Sequence, residues 1–202
     1  MRGNLMENRI YPIMVSTLRM KNGGFEVDYP QVSCLSNPDA QEIINRTIME
    51  NVYELIQKQR PFEEMNGTYE LKNNDKGVLS LTLINYAFSG GAHGNTIVKA
   101  LNFDVETGHI YTLPELFKPG SHYVQRISEI IKAEIKARDL PTIGEFTEIN
   151  PNQDFYIADR SLVIFFQLYE ITPYFVGIPY FPISIYALED IINEKGPLQR
   201  MF

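Results

Sequence analysis

The sequence predicts an α+β fold: an antiparallel sheet with two main helices packed on it, in a single compact domain. Three observations carry this expectation. Two stretches, Ile44 to Ile56 and Val124 to Ile135, repeat apolar residues at three- and four-residue spacing, the period of an amphipathic helix. These helical patterns are separated by runs of hairpin-connected strands, not by single strands, which favours α+β over a doubly wound parallel sheet. With 202 residues, 44% of them hydrophobic and 21% charged, the chain can bury a core without covalent staples.

Taken in order, the apolar and β-branched run Ile13 to Met20 meets the turn residues Lys21-Asn22-Gly23-Gly24. Phe25, Val27 and Tyr29 then alternate with polar neighbours, and together these segments read as an opening hairpin. Asn37-Pro38-Asp39 starts a helix: Asn37 can cap free N–H groups, and Pro38 occupies the first position, where its missing donor is harmless. The stripe Ile44, Ile48, Val52, Leu55, Ile56 runs on until Arg60-Pro61 stops it.

Tyr69–Asn73, Gly77–Phe88 and Thr96–Val105 read as an antiparallel meander. A second helix follows Pro119-Gly120, with Ser121 as its cap and Pro141 marking its end. Asp154–Ile157 and Ser161–Tyr169 form a strand pair, the second apolar on both faces and hence the expected central strand. The apolar stretch Phe181 to Ile185 leads to a short helix around Leu188–Ile192, and Lys195-Gly196-Pro197 ends ordered structure. Cys34, the sole cysteine, excludes an internal disulfide and reads as a small buried hydrophobe.

Eighteen basic against twenty-five acidic residues give a net charge of −7. That charge opposes binding to phosphate backbones and anionic lipid, so neither a nucleic-acid partner nor membrane insertion is expected. Met1 to Arg9 lack the apolar run of an export signal, from which a cytoplasmic or spore-associated chain is expected by default. His109 and His122 have no histidine four residues away and no cysteine neighbour, so no metal and no cofactor is expected. Two N-x-T sequons, at Asn45 and Asn66, are read as chance.

Phe88-Ser89-Gly90-Gly91-Ala92-His93-Gly94-Asn95 is the most unusual segment. Its glycines could expose backbone N–H groups to a ligand while His93 acts as general base for Ser89, with Asp104 or Glu170 as the orienting carboxylate. The alternative is a structural loop in which glycines supply positive φ or close packing. The segment matches neither a nucleophile elbow nor a phosphate-binding loop. Downstream, Tyr169, Tyr174, Phe175, Tyr180, Phe181 and Tyr186 crowd a stretch broken by glycine and proline, which reads as an aromatic display surface or as core.

The order of segments is similar to a known family. Asp28-Tyr29-Pro30-Gln31-Val32, the Asn45 helix, Tyr86 to Asn95 with Ser-Gly-Gly-Ala-His-Gly, Leu101-Asn102-Phe103-Asp104 with Thr107-Gly108, Leu113 to Phe117, and Tyr169-Glu170-Ile171-Thr172-Pro173-Tyr174 with Gly177 resemble the bacterial DUF4163/DUF3298 domain. The resemblance implies a DUF4163-like part over about 10–95 and a DUF3298-like part over about 96–195. It also implies an α+β fold. In that family the domain forms the outer part of a lysozyme-sensing anti-sigma factor, and it stands beside the catalytic module of a peptidoglycan deacetylase. The resemblance therefore implies a noncatalytic binding module, not an enzyme, for a cell-envelope protein such as a basic muramidase or for a peptidoglycan-type glycan. Ser89, Gly90, Gly91, His93, Asn95, Tyr169, Glu170 and Tyr174 are the expected ligand-binding residues. A hydrolase using His93 and an assembly protein are the alternatives.

Overall fold

The computed structural model describes residues 12–202. The expectation about an export segment in Met1 to Arg9 lies outside the described residues. The elements run β1 (Met14–Asn22), β2 (Phe25–Ser33), α1 (Pro38–Lys58), β3 (Glu64–Asp75), β4 (Val78–Phe88), β5 (Asn95–Asp104), α2 (Tyr123–Ala137), β6 (Phe155–Ala158), β7 (Ser161–Phe165) and β8 (Tyr180–Ser184). Among the described residues, no helix is long and apolar enough to cross a membrane.

The α+β class and the two helices stand, and the sheet arrangement is richer than expected. A five-stranded sheet has the order β1-β2-β3-β4-β5, and a separate three-stranded sheet has the order β6-β7-β8. β1–β2, β3–β4 and β4–β5 are antiparallel, but β2 joins β3 in parallel over Phe25–Val27 and Met65–Gly67. That pairing requires the α1 crossover between the two strands, so the large sheet is mixed. β7 is the centre of the small sheet, as its two apolar faces predict.

Local chemistry accounts for α1. Asn37 Oδ1 accepts from the backbone N–H groups of Asp39 (3.1 Å) and Ala40 (3.4 Å), and Pro38 follows the cap. Ile44, Ile48, Val52, Leu55 and Ile56 are buried against the large sheet, with Leu79, Leu81 and Leu83 of β4 and Leu101 and Phe103 of β5. Each such side chain contributes about 1.5–3 kcal/mol on burial. α2 serves the other sheet: Ile127 and Ile131 are buried with Phe155, Ile157, Leu162, Ile164, Phe181 and Ile183. The two helices thus cover different sheets.

β4 is buried on both faces. Leu79, Leu81 and Leu83 face α1, while Val78 and Ser80 face the small sheet. Ser80 and its cross-strand partner Asn102 are both buried and form the joint between the sheets. The Ser80 hydroxyl donates to Asn102 Oδ1 (2.6 Å), and the Ile157 N–H donates to Ser80 Oγ (3.1 Å) and Asn102 Oδ1 (3.2 Å). Asn102 Nδ2 donates to the Phe155 carbonyl (3.0 Å), so the carboxamide meets β6 as a strand would.

Four local expectations are corrected. Cys34 is exposed, because it leaves β2 at a φ of 60° that turns it out of the sheet. Ser121 does not cap α2: the turn closed by its N–H on Lys118 O folds it back, His122 takes the cap position, and the Ser121 hydroxyl is buried without a hydrogen-bond partner among the described residues. Leu188–Ile192 forms single turns instead of a helix, because Ile192 bridges to Phe117 and Ile191 O accepts from Lys118 N. The chain stays ordered past Pro197: Leu198 and Met201 are buried, and Lys76 Nζ donates to the Phe202 carbonyl (2.9 Å).

Asn102→Ala leaves the Phe155 carbonyl unpaired and weakens the hold on Ile157. The expected cost is roughly 2–4 kcal/mol in a urea denaturation experiment. A loss below about 0.5 kcal/mol would remove this joint from any role in holding the sheets together.

Candidate functional site

The segment Ser89 to Gly94 joins β4 to β5 at the end of the large sheet nearest the C-terminus of α1. Gln59, the residue after α1, donates through Nε2 to the Asn95 carbonyl (3.0 Å) and the Asn85 carbonyl (3.3 Å), fixing the loop's return. Gly90 and Gly91 adopt φ of 85° and 97°, where a side chain would be strained. Gly94 is required for a different reason: a Cβ there would run into the ring of Tyr86.

Tyr169 and Tyr174 arrive from the other sheet, on the connection between β7 and β8. The ring of Tyr174 stacks on His93 with centroids 3.8 Å apart and planes at 18°, and Tyr169 stacks on Tyr174 at 5.7 Å and 30°. Tyr174 Oη donates to the Gly94 carbonyl (3.2 Å), His93 Nδ1 lies 3.1 Å from the same carbonyl, and Tyr169 Oη lies 3.4 Å from His93 Nε2. The result is one cluster of three rings. His93 and Tyr169 are exposed within it, Tyr174 is half-buried, and Phe175 beside it is 79% exposed. Tyr169 holds a φ of 65°, a left-handed conformation that costs a tyrosine about 1–3 kcal/mol.

The other expected residues do not join the cluster through hydrogen bonds. Ser89 Oγ donates to the Pro61 carbonyl (2.7 Å), and no hydrogen bond connects it to His93 among the described residues. The Glu170 carboxylate turns inward, accepting from the Gln167 N–H (2.6 Å) and Gln153 Nε2 (2.9 Å). Asn95 lends its backbone carbonyl to Gln59.

Asp104 lies at the far end of β5 from Asn95, about 30 Å away at strand rise. There it accepts from Arg200 Nη2 (2.7 Å), Tyr111 Oη (2.9 Å) and Thr107 Oγ1 (2.9 Å). It therefore anchors the C-terminal strap and does not orient His93. Burial raises its pKa, and the hydrogen bonds from Arg200, Tyr111 and Thr107 together lower it further, leaving it below the usual carboxylate value. Burial and the same carboxylate push the Tyr111 phenol up to about 12, so it stays a donor.

Sequence reasoning missed Tyr86, which walls Gly94, and Gln167, whose carboxamide accepts from the Val98 N–H (3.1 Å) and donates to the Val98 carbonyl (2.7 Å). Gln167 sits inside the run read as a strand, which hid it. Among the described residues, no three His, Cys, Asp or Glu side chains converge as metal ligands.

Comparison with known proteins places the chain in a family. Residues 114–186 match the family described as a protein of unknown function (DUF3298), and residues 21–96 match the family model described as deacetylase PdaC. An esterase of Mycobacterium tuberculosis, Rv3036c, is 30% identical over 164 residues, which make up 76% of this chain and 69% of the esterase. The chain belongs to the DUF3298 family. The peptidoglycan-N-acetylmuramic acid deacetylase PdaC of Bacillus subtilis is 26% identical over 141 residues; the match takes in 65% of this chain but only 30% of the deacetylase. The anti-sigma-V factor RsiV of the same organism is 24% identical over 185 residues, 83% of this chain and 65% of RsiV. A crystal structure of a DUF3298 member from Bacteroides fragilis superposes with a TM-score of 0.71 at 13% identity, covering 94% of this chain and 97% of that one, and so shares the fold.

The depressed Asp104 pKa has a definite sign. Its folded value lies below its unfolded value, so its stabilisation is present in full above about pH 4 and is lost as pH falls through the folded pKa. Asp104→Asn is expected to lower stability at pH 7 and to flatten the acid limb of a stability-against-pH curve below pH 4. An unchanged acid limb would count against the Arg200 pairing.

Proposed function

We propose that this chain is a noncatalytic recognition module for a peptidoglycan-type glycan, and that Tyr169, Tyr174 and His93 form its contact surface. The observation that carries this reading is the ring cluster. Two sheets contribute to it, it lies at an exposed end of the molecule, and one member is kept in a strained backbone conformation. Tyrosines supply large rigid contact area with a polar tip, which suits the alternating apolar faces and hydroxyl rims of a sugar. Backbone strain gathers at functional sites, where surrounding structure maintains it. The deacetylase among the relatives carries peptidoglycan in its name, which supports the ligand class.

Tyr169→Gly separates binding from folding, because glycine relieves the left-handed strain while removing the ring. Calorimetric titration with soluble peptidoglycan fragments is expected to show affinity weakened at least tenfold. The melting temperature is expected to stay constant or rise by about 2–4 °C. Unchanged affinity in the folded variant would remove the cluster from the function. Heat with a basic muramidase and none with the fragments would instead favour a protein ligand, consistent in sign with the charge of −7.

Ester hydrolysis is the second reading, favoured by the 30% identical esterase. It would require Ser89 or another hydroxyl to meet a base, whereas Ser89 donates to Pro61 and His93 is occupied by Tyr169 and Gly94. Ser89→Ala and His93→Ala are therefore expected to leave any turnover of p-nitrophenyl acetate within about twofold of the parent chain. A hundredfold drop in either variant would establish catalysis there, since general-base catalysis contributes about that much or more.

A further inference from the structure

Among the described residues β5 is the last strand of the large sheet, and one edge of it has no neighbouring strand. Its backbone groups alternate between β4 and that open edge. Val98 points both its N–H and its C=O outward, since Gln167 engages both. Ala100 and Asn102 share this parity. At Asn102 the carbonyl accepts from the Tyr111 N–H (2.8 Å), and at Asp104 the N–H donates to the His109 carbonyl (2.8 Å). The edge is thus paired at both ends by the protein itself.

Between those ends lies a gap. Among the described residues, nothing pairs with the N–H and C=O of Ala100 or with the N–H of Asn102. The three groups open into a cleft of about 250 Å³, whose walls include Ile110, Thr112, Leu113, Asn152 and Phe155. The recess shields the edge from another sheet, which is how natural proteins blunt open edges. A single extended chain can still enter.

We propose that this gap is a docking site for a short extended peptide, which would add to β5 by strand pairing at Ala100. A residue in extended conformation offers an N–H and a C=O on the same side at the spacing that Ala100 presents. The Gln167 carboxamide imitates that pairing two residues earlier, at Val98. The volume equals the share of about eight liquid waters, which limits the occupant to two or three small residues. The walls mix apolar side chains, Ile110, Leu113 and Phe155, with polar ones, Lys99, Asn152 and Asp154, and the volume suits a peptide with small side chains. This inference goes beyond the glycan reading and does not depend on it.

The test is amide hydrogen exchange by NMR with the capped peptide N-acetyl-Ala-Ala-Ala-amide. Exchange at Ala100 and Asn102 is expected to slow at least fivefold at saturation, with Kd on the order of 1 mM for so small a contact. Val98, already paired, should not change. Ala100→Pro removes the outward donor and leaves the β4 ladder intact, because that N–H points away from β4; a folded variant should lose the response. No slowing in the parent chain up to 20 mM peptide, or equal slowing by a peptide-free disaccharide, would overturn the proposal. Tyr169→Gly should retain peptide binding, and loss of it there would also overturn a separate site.

Discussion

Everything in this fold depends on how the two sheets are joined, and the joint is polar. Ser80 and Asn102 face each other across β4 and β5 in a region from which water is excluded. Neither could be buried unpaired without a cost of about 1–3 kcal/mol. The backbone of β6 supplies the partners, and its own edge groups at Phe155 and Ile157 need partners in return. Because a hydrogen bond is directional and hydrophobic contact is not, this exchange fixes the register of one sheet on the other. The ring cluster depends on that register, since His93 is carried by the large sheet and Tyr169 and Tyr174 by the small one.

The same device recurs elsewhere. Asn45 on α1 accepts from the Val32 N–H (2.8 Å) and donates to the Val32 carbonyl (2.9 Å), tying the helix to the outer part of β2. Asn74 does likewise for Ile13, at 2.9 Å in both directions, and Gln167 does so for Val98. A primary carboxamide carries a donor and an acceptor side by side, so it can satisfy both groups of one extended residue. Strand ends that diverge from their neighbours are thereby closed without another strand. Asn45, read from the sequence as part of a chance sequon, is committed to this role.

Much of the fold was legible because it is local. The Asn37-Pro38 cap, the α1 stripe and the opening hairpin are each written within about twenty residues, and each hairpin of the β3–β4–β5 meander within fewer than thirty, where periodicity and turn chemistry operate. The parallel β2–β3 pairing, the division into two sheets and the return of Arg200 to Asp104 involve residues far apart in sequence, and no local pattern records them. The site divides the same way. His93, Tyr169 and Tyr174 were visible as unusual residues, but their convergence spans 76 residues, and the inward turn of Glu170 depends on Gln153 and Gln167. Cys34 misled because its type suggests burial, while its backbone conformation decided otherwise.

The strap that brings Arg200 onto Asp104 bears on how the chain acquires its structure during synthesis. The carboxylate is made 96 residues before the guanidinium that compensates it. At about 5–20 residues per second, the large sheet is complete some 5–20 s before its Asp104 corner can close. During that interval the corner must remain solvated, and the end of β5 must stay open to water. The large sheet can therefore form early but cannot seal. Closure of the Asp104 corner waits until Arg200 has been made, after every strand of both sheets.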